Sequence, residues 1–330
     1  MKRHLLFAAV LALIAAPLFA QGTREEGIAY ATEEVPVRMV AFKGPTGIGL
    51  SKLMKDAESG PVDHNDYSFT LLGAPTEAVP LIAKGQVDIA AVPANLASVI
   101  YNNTKGKIRI LALNTLGVIY VVENGDSVKS VQDLKGRTVY ASGKGATPEY
   151  GFRAVLEMNG LDPDKDLTIE WKSEHAECVA ALGKADDGIA LLPQPFVTVA
   201  QMKNPKLRTV LDLTKEWEAK SSSSMITAVM VVQKDFLEAH PNAVKRFMKS
   251  YEESVSWVTD PANIDAAAKL VGSYEIVPEA VAKKAIPYCN IVSTSGEEMV
   301  KKLSGYFDEL YKQNPKAVGG KVPDAAAYVL

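Results

Sequence analysis

Four loops of similar composition precede predicted helices and contain residue types suited to a small-molecule binding site. They follow predicted strands that end near residues 42, 72, 92 and 141. Glycine permits tight turns that leave backbone N–H groups accessible, and a helix N-terminus adds partial positive charge, so main chain there can hold a small anion or a carbonyl oxygen. Each loop is equally compatible with an ordinary strand-to-helix turn, as Thr147-Pro148, a good N-cap followed by proline, illustrates.

In open α/β folds, ligands bind beyond the carboxyl ends of the strands, so the residues of these loops are the first candidates. The candidate ligand-binding residues are Phe42, Lys43, Gly44, Thr46, Gly47, Thr76, Glu77, Asn95, Asn114, Gly143, Lys144, Gly145, Thr147 and Gln194. Phe42, Tyr150 and Phe196 are aromatic and could stack on a flat ligand, although aromatic residues near strand ends also serve in cores.

Two carboxylates, Glu77 and Glu177, sit at corresponding predicted helix starts. A carboxylate in the first turn is favoured by the helix dipole by about 0.3–1 kcal/mol, so capping alone explains both residues. The functional alternative is that Glu77 points into a cleft and accepts hydrogen bonds from a ligand amine or ring N–H. Both interpretations of Glu77 stay open at this point.

Motifs that would indicate catalysis or a metal site are missing from the sequence. It contains no His-Glu-x-x-His, Gly-x-Ser-x-Gly, Ser-x-x-Lys or Cys-x-x-Cys pattern. The stretch around Gly143-Lys144 is no P-loop, since the glycine required five residues earlier is Thr138 and neither Ser nor Thr follows Lys144. We therefore expect no catalytic residues, no metal and no cofactor. An exported enzyme on the same scaffold would have only Glu77, Glu149 and His175 as acid–base groups, and His175 is interpreted as a rim or structural residue.

The elements that position these loops follow a repeated βαβαβ pattern. Predicted strands at 37–42, 68–72 and 87–92 alternate with helices near 48–56 and 77–84, and the same order returns in strands at 138–141, 167–171 and 189–192 with helices at 148–159 and 177–182. Matches recur at an offset of one hundred, as in Glu77 with Glu177 and Pro93 with Pro193. The pattern predicts an α/β fold with two similar lobes, each a mostly parallel sheet flanked by helices.

Two long extended segments, residues 108–122 and 225–232, are predicted to connect the lobes as two hinge crossings, and each is too long for one simple strand. Paired strands of this kind form a hinge that permits closure around a ligand. Lobe one is therefore expected to comprise residues 35–116 and 228–330, and lobe two residues 117–227. After residue 234 the sequence pattern is almost wholly helical, with a helix boundary at His240-Pro241.

The first twenty residues have the pattern of a cleavable export signal: Lys2 and Arg3, an apolar run, and Ala20 before the presumed cut. Residues 21–34 are polar and predict a flexible leader, and no cysteine follows the cut to carry a lipid. We expect a soluble monomer in the periplasm or another extracytoplasmic space.

The formal charge of −3 is scattered along the chain, so nucleic acid is not an expected partner. The two cysteines, Cys178 and Cys289, are interpreted as buried small apolar residues, with one disulfide as the alternative.

Four motifs in order resemble those of bacterial periplasmic binding proteins with the type II fold, the group that binds aliphatic sulfonates, taurine, nitrate and thiamine-related pyrimidines. They are Gly47-Ile48-Gly49-Leu50, the stretch from Gly85 to Ala90, the stretch from Val131 to Val139, and Pro193-Gln194-Pro195. The resemblance implies a cleft between lobes, closure on binding, and delivery of the ligand to an ABC permease in the membrane. A pyrimidine synthase of similar fold is disfavoured, because its cysteine-rich segment is absent and the export signal does not suit it.

The ligand expected from the loops is a nitrogen heterocycle of the thiamine-pyrimidine type, with Glu77 as acceptor and an aromatic side chain as platform. None of the loops contains arginine, and Lys43 and Lys144 are balanced by Glu77 and Glu149, so a strongly anionic ligand is not required. A sulfonate, taurine or nitrate type of small anion held by backbone N–H groups is the alternative. A sensor on the same scaffold, recognised by another exported protein, is a further alternative that the sequence does not separate from transport.

Overall fold

The computed structural model describes residues 33–184 and 186–330. The predicted export signal at 1–20 and residues 21–32 of the predicted leader lie outside the described residues. Among the residues that are described, no helix is both long enough and apolar enough to cross a membrane.

The chain begins with three βα units and a fourth strand. In order these are β1 (Val35–Phe42), α1 (Pro45–Ala57), β2 (Asn65–Leu72), α2 (Pro75–Ala83), β3 (Ile89–Pro93), α3 (Ala94–Asn103) and β4 (Ile108–Leu116). The predicted strands and helices of this half are confirmed, with ends that move by a few residues. Strand β3 is apolar and buried along most of its length because helices cover both faces of the sheet.

The second half repeats the pattern after one additional strand. It comprises β5 (Ile119–Glu123), β6 (Thr138–Ser142), α4 (Thr147–Met158), β7 (Thr168–Lys172), α5 (His175–Leu182), β8 (Ile189–Pro193), α6 (Phe196–Lys203), β9 (Arg208–Asp212) and α7 (Leu213–Glu218). The predicted strands at 138–141, 167–171 and 189–192 correspond to β6, β7 and β8. Helices α4 and α5 are also where the periodicity predicts them.

The C-terminal part returns through one strand and is then mainly helical. Its elements are β10 (Ile226–Gln233), α8 (Lys234–Ala239), α9 (Pro241–Thr259), α10 (Ile264–Ser273), α11 (Glu279–Ala285), β11 (Ile291–Thr294) and α12 (Gly296–Gln313). The predicted boundary at His240-Pro241 is confirmed. The sequence pattern missed β11, because a four-residue strand at a sheet edge is too short to show a period of two.

The strands of the described chain form two sheets. The first has the order β11-β4-β10-β3-β1-β2 and the second the order β7-β6-β8-β5-β9. We call the first sheet with its helices lobe one and the second with its helices lobe two. The predicted α/β class, with two sheets flanked by helices, is confirmed.

The sheets are more mixed than the predicted mostly parallel arrangement. Strands β1, β2 and β3 are parallel, as are β6, β7 and β8, but β10 pairs antiparallel with both of its neighbours, β11 pairs antiparallel with β4, and β5 pairs antiparallel with both of its neighbours in lobe two. Of the three reversed strands, β5 and β10 are each the first to follow a crossing between the sheets. A strand that arrives from the other lobe enters at the carboxyl ends of the parallel strands, so it must run against them.

The offset of one hundred also holds in the strand registers. Met39 lies opposite Ile89 in lobe one, and Val139 lies opposite Ile189 in lobe two. Phe42 lies opposite Leu72 at the ends of β1 and β2, and Ser142 lies opposite Lys172 at the ends of β6 and β7. Residues one hundred apart therefore occupy equivalent places in the two sheets.

The two predicted crossings differ in form. The first is two strands, β4 in lobe one and β5 in lobe two, joined at Gly117 and Val118. The second, predicted at 225–232 as too long for one simple strand, is the single strand β10, all of it within the sheet of lobe one. It pairs with β4 from Ile226 to Gln233, so the two crossings do form paired strands. One apolar core continues through this region into both lobes and contains Ile110, Val229 and Val121.

Both cysteines are buried and free, which confirms their interpretation as small apolar residues and excludes the alternative disulfide. The C-terminal residues pack against α3, where the Ser98 hydroxyl donates to the Val318 carbonyl at 2.8 Å. The tail therefore completes lobe one.

The junction between β4 and β5 predicts one sensitive position. A Cβ on Gly117 would lie 1.8 Å from the Thr214 Oγ1 atom and 2.9 Å from the Thr214 Cβ, so the Thr214 side chain or the backbone must shift. We expect Gly117→Ala to lower the free energy of unfolding by about 1–3 kcal/mol. Urea denaturation measures it. Gly183→Ala is the matched control, because a Cβ there makes only ordinary contacts, the nearest at 3.6 Å, and equal losses in both variants would contradict the packing explanation.

Candidate functional site

A cavity of about 110 Å³ lies where the carboxyl ends of the strands from both sheets meet. Its walls are the loops after β1, β2 and β3 in lobe one and the loops after β6, β7 and β8 in lobe two, and the crossings contribute Val118, Ile119, Thr227 and Ala228. Both lobes and both crossings therefore surround the same space. The loops that the sequence singled out for ligand binding are brought together here.

Equivalent residues of the two lobes line the cavity, and at four of these positions their chemistry differs. There lobe one contributes apolar or small residues, whereas lobe two contributes hydroxyl, carboxylate and imidazole groups. The four pairs, each one hundred residues apart, are Phe42 with Ser142, Gly73 with Ser173, Ala74 with Glu174 and Pro75 with His175, whereas Pro93 and Pro193 are identical.

Half of the predicted binding residues line the cavity. They are Phe42, Lys43, Gly44, Thr46, Gly143, Thr147 and Gln194. Ligand binding by these residues stays a prediction. Their hydrogen bonds nevertheless distinguish groups that build the wall from groups that remain available.

Two threonines use their hydroxyls to build the wall. The Thr46 hydroxyl accepts a hydrogen bond from the Phe42 N–H at 3.0 Å and donates to the Phe42 carbonyl at 3.2 Å, which holds the loop after β1. The Thr147 hydroxyl contacts the Thr227 carbonyl at 3.2 Å and the Asn95 Oδ1 at 3.3 Å, and so joins α4 to lobe one.

Gln194 is buried and has one end available. Its Oε1 accepts from the Thr198 hydroxyl at 2.9 Å and from the Thr198 N–H at 3.4 Å. Because both Thr198 groups donate, the oxygen of the amide faces them and the NH₂ group is directed elsewhere. Gln194 can therefore offer a donor to the cavity.

Two predicted asparagines are buried within the protein and do not line the cavity. The Asn95 side chain donates to the carbonyls of Gly145 and Ala317, both at 3.3 Å, and so fixes the lobe-two loop to lobe one. Asn114 donates to the Tyr251 hydroxyl, and its Oδ1 accepts from Thr115. Both satisfy buried polar groups, a role that a sequence pattern does not separate from ligand binding.

Glu77 and Thr76 also lie outside the cavity lining. Glu77 Oε1 accepts from the Ala74 N–H at 2.8 Å, and its counterpart Glu177 accepts from the Ser173 N–H at 2.9 Å. Both carboxylates cap their own helices, which is the first of the two explanations that the sequence left open.

The remaining predicted residues surround the loops without lining the cavity. Gly47 is required by packing, because a Cβ there would lie 2.7 Å from the Phe42 carbonyl oxygen. Lys144 is exposed, and the Gly145 N–H donates to the Glu149 carboxylate at 2.6 Å. Of the aromatic candidates, Phe42 and Phe196 line the cavity and Tyr150 does not.

Sequence reasoning missed the polar wall of lobe two. Ser142, Ser173, Glu174 and His175 line the cavity, and none of them was among the candidate binding residues. The signal that would have found them was present, since adding one hundred to Phe42, Gly73, Ala74 and Pro75 gives these four positions. No such signal marked the crossing residues, because the sequence pattern of a crossing strand is that of an apolar core strand. These residues are Val118, Ile119, Thr227 and Ala228.

His175 lies in the cavity wall and has one clear partner. Its Nδ1 forms a hydrogen bond with the Ser142 hydroxyl, and its ring lies 5.0 Å from the Phe196 ring, centroid to centroid. Burial lowers the pKa of His175 from 6.5 to about 4, so the ring is neutral near pH 7. His175, interpreted from the sequence as a rim or structural residue, thus lies in the cavity wall as a neutral imidazole.

The electrostatics of the six helix N-termini at the cavity are unequal. Helices α2, α4 and α5 carry Glu77, Glu149 and Glu177 in the first turn, and each carboxylate accepts a backbone N–H of its own loop. Helices α1, α3 and α6 have no acidic residue in the first turn and no side-chain cap, and of these three only α1 has a lysine, Lys43, just before it. The N-terminus of α1 is therefore the most favourable place at the cavity for negative charge. Over the described residues, no cluster of three His, Cys, Asp or Glu side chains could hold a metal ion.

This arrangement, two α/β lobes joined by paired crossing strands around one cavity, defines a binding-protein fold. Residues 68–264 match the family described as NMT1/THI5 like, and the chain belongs to that family. It is also 28% identical over 161 residues to the taurine-binding periplasmic protein of Escherichia coli (strain K12). That match covers 46% of this chain and 46% of the relative, less than half the length of either.

Solved structures share the fold across nearly the whole chain. An ABC transporter protein from Parabacteroides distasonis has a TM-score of 0.74 at 21% identity, covering 90% of this chain and 99% of the other. The alkanesulfonate-binding protein SsuA from Xanthomonas axonopodis pv. citri, bound to MOPS, has a TM-score of 0.72 at 15% identity with the same coverage. The predicted resemblance to periplasmic binding proteins is confirmed at the level of family and fold.

The capping contact of Glu77 generates a prediction. We expect Glu77→Gln to lower the free energy of unfolding by about 0.3–1 kcal/mol, because a charge at the N-terminus of α2 is lost, and to leave ligand affinity unchanged. Urea denaturation and calorimetric titration measure the two quantities. Glu177→Gln is the matched control in lobe two. A tenfold loss of affinity in Glu77→Gln alone would return Glu77 to the binding site.

The lowered pKa of His175 predicts a pH dependence of stability. Between pH 6.5 and pH 4 the unfolded chain binds a proton at His175 that the folded protein does not, so stability falls as the pH falls through this window. The contribution is up to about 3 kcal/mol at 1.36 kcal/mol per pKa unit. We expect the free energy of unfolding of wild type, measured in urea from pH 7 to pH 4, to fall more steeply than that of His175→Gln. Parallel curves would show that His175 titrates normally.

Proposed function

We propose that this protein is an exported solute-binding protein that delivers a small organic anion of the sulfonate type to an ABC importer. The proposal is supported by family membership, by the shared fold, and by a cavity enclosed by equivalent loops of two lobes. The paired crossings β4–β5 and β10 act as the hinge, and the lobes close over the ligand. The working partner is a membrane permease, and the binding protein acts as a monomer in the periplasm.

The observation that carries the anion assignment is the N-terminus of α1. After Pro45, which has no N–H, the backbone N–H groups of Thr46 and Gly47 have no intrahelical acceptor; the first turn contains no acidic residue, and Lys43 precedes it in the cavity wall. Gln194 adds an amide donor from lobe two. A sulfonate has three oxygens that can accept from these separate donors.

Relatives with known ligands fit this assignment. The E. coli relative is named for taurine, and the Xanthomonas structure contains MOPS. Taurine and MOPS are both small sulfonates. The apolar residues Phe42, Pro93 and Ile119 of the wall suit the carbon chain of such a molecule. The carboxylate of Glu174, also in the wall, suits an amino group at its other end.

A nitrogen heterocycle of the thiamine-pyrimidine type is the second candidate. Its expected acceptor, Glu77, caps α2 instead, so this candidate now depends on Glu174 as the acceptor and on Phe42 or Phe196 as a platform. We favour the sulfonate, because the heterocycle makes no use of the uncapped α1 N-terminus.

Transport without catalysis is part of the proposal. An enzyme on this scaffold would have to work with Glu174 and His175 in the cavity, since Glu77 and Glu149 cap helices. Chromatography and mass spectrometry of the ligand after incubation with the protein distinguish binding from turnover. Recovery of the ligand without chemical change supports binding. A sensor role is distinguished by uptake: a transport defect in cells that lack the protein supports the importer.

The α1 assignment predicts an effect of Lys43. We expect Lys43→Gln to weaken taurine or MOPS binding about threefold to tenfold, or roughly 0.7–1.4 kcal/mol, because one cation next to the anion is lost. Lys144→Gln is the matched control, since Lys144 lies in the equivalent loop of lobe two but outside the cavity lining. Isothermal titration calorimetry at low salt measures both affinities.

A ligand panel tests the proposed function itself. Taurine, MOPS, nitrate and an aminopyrimidine are added to wild type in a thermal-shift assay, where a ligand at 100 times its dissociation constant adds about 2.7 kcal/mol to the free energy of unfolding. We expect a sulfonate to give the largest stabilisation. Selective stabilisation by the aminopyrimidine would establish the second candidate, and no stabilisation by any of the four would contradict both.

A further inference from the structure

His175 occupies the place in lobe two that Pro75 occupies in lobe one. Both stand at the first position of the helix that follows an edge strand of their sheet, β2 in lobe one and β7 in lobe two, and both line the cavity. Proline has no hydrogen-bonding side chain, so whatever His175 does with its ring is done by lobe two alone. The question is which ring nitrogen carries the proton.

The Ser142 hydroxyl has two side-chain neighbours that could accept its proton, His175 Nδ1 and the Cys178 sulfur. The Cys178 thiol donates to the Glu174 carbonyl at 3.7 Å, and burial raises the pKa of Cys178 to about 11, so its sulfur is neutral. A neutral sulfur is a weak acceptor, whereas an unprotonated imidazole nitrogen is a good one. The Ser142 hydroxyl therefore donates to His175 Nδ1, and a neutral ring that accepts at Nδ1 carries its proton on Nε2.

The second nitrogen is left for a ligand. Over the described residues, His175 Nε2 has no hydrogen-bond partner, and the contact with Phe196 limits the rotation of the ring. We propose that His175 is a specificity-determining hydrogen-bond donor, whose Nε2–H binds an oxygen acceptor of the ligand, and that Ser142 is the positioning residue that sets this tautomer. The proposal rests on the proposed function and adds the recognition chemistry of lobe two.

The consequence for the ligand is a requirement for an acceptor at the lobe-two end. A neutral N–H donates to a sulfonate, carboxylate, hydroxyl or carbonyl oxygen, but it does not bind an ammonium group. Glu174 is the charged neighbour on the same helix start, and Lys43 is the cation across the cavity. A ligand that places one acceptor oxygen at His175 and an amino group at Glu174 satisfies both side chains.

The tautomer is measured on the full chain without ligand. Long-range ¹H–¹⁵N spectra distinguish the two neutral tautomers by the shifts of Nδ1 and Nε2, and His175→Gln assigns the signals. We expect the Nε2–H form in wild type and in Cys178→Ala, and a mixture of both forms in Ser142→Ala. An Nδ1–H form in wild type, or an unchanged tautomer in Ser142→Ala, would overturn the inference.

Binding of taurine and MOPS tests the donor role. We expect His175→Phe, which keeps the contact with Phe196 and removes both nitrogens, to weaken binding at least tenfold. The affinity of His175→Gln, whose amide can replace Nε2–H, stays within about threefold of wild type. The affinity of Ser142→Ala lies between those of His175→Phe and His175→Gln. Cys178→Ala binds both ligands with the affinity of wild type. Thermal melting confirms that each variant is folded.

The outcomes separate this inference from the proposed function. If wild type binds a sulfonate and His175→Phe binds it equally well, the donor role is wrong and the proposed function stands. If wild type binds none of the probes, the proposed function fails and the inference fails with it. Weakening in both His175→Phe and His175→Gln, without the tautomer change in Ser142→Ala, would assign His175 a packing role only.

Discussion

Strand β10 lies in the centre of the lobe-one sheet and pairs antiparallel with β3 and β4. This insertion is possible because the chain leaves lobe one at the end of β4 and returns from lobe two at the same edge. Both sheets must then direct the carboxyl ends of their parallel strands toward the crossings. The cavity, the approach of six helix N-termini and the placement of Thr227 in its wall all follow from this single constraint.

Six helix N-termini around one small cavity would produce a strongly positive site if nothing offset them. Three of them carry their own glutamate, which returns negative charge to the helix end within one turn and accepts a backbone N–H. The positive potential is thereby left to α1, α3 and α6, and of these only α1 is preceded by a lysine.

The two walls of the cavity have equivalent backbone positions but different side chains. The registers of β1 with β3 and of β6 with β8 are equivalent at an offset of one hundred, so the loops that follow have equivalent positions. Ser142 and Glu174 of lobe two occupy the positions of Phe42 and Ala74 in lobe one, so the cavity has an apolar wall and a polar wall. Equivalent backbone with different side chains makes the two ends of the cavity chemically different.

The sequence by itself determined the α/β class, the repeat, the order of the helices and strands and the loops that surround the cavity, because these depend on local periodicity, on glycine and proline, and on the rule that ligands bind at strand carboxyl ends. It did not determine which polar side chains face the cavity. Asn95, Asn114 and Glu77 have the chemistry of binding residues but satisfy buried carbonyls, a tyrosine hydroxyl and a helix terminus. Only the tertiary structure decided this, because the direction of a side chain depends on which distant residues complete its hydrogen bonds.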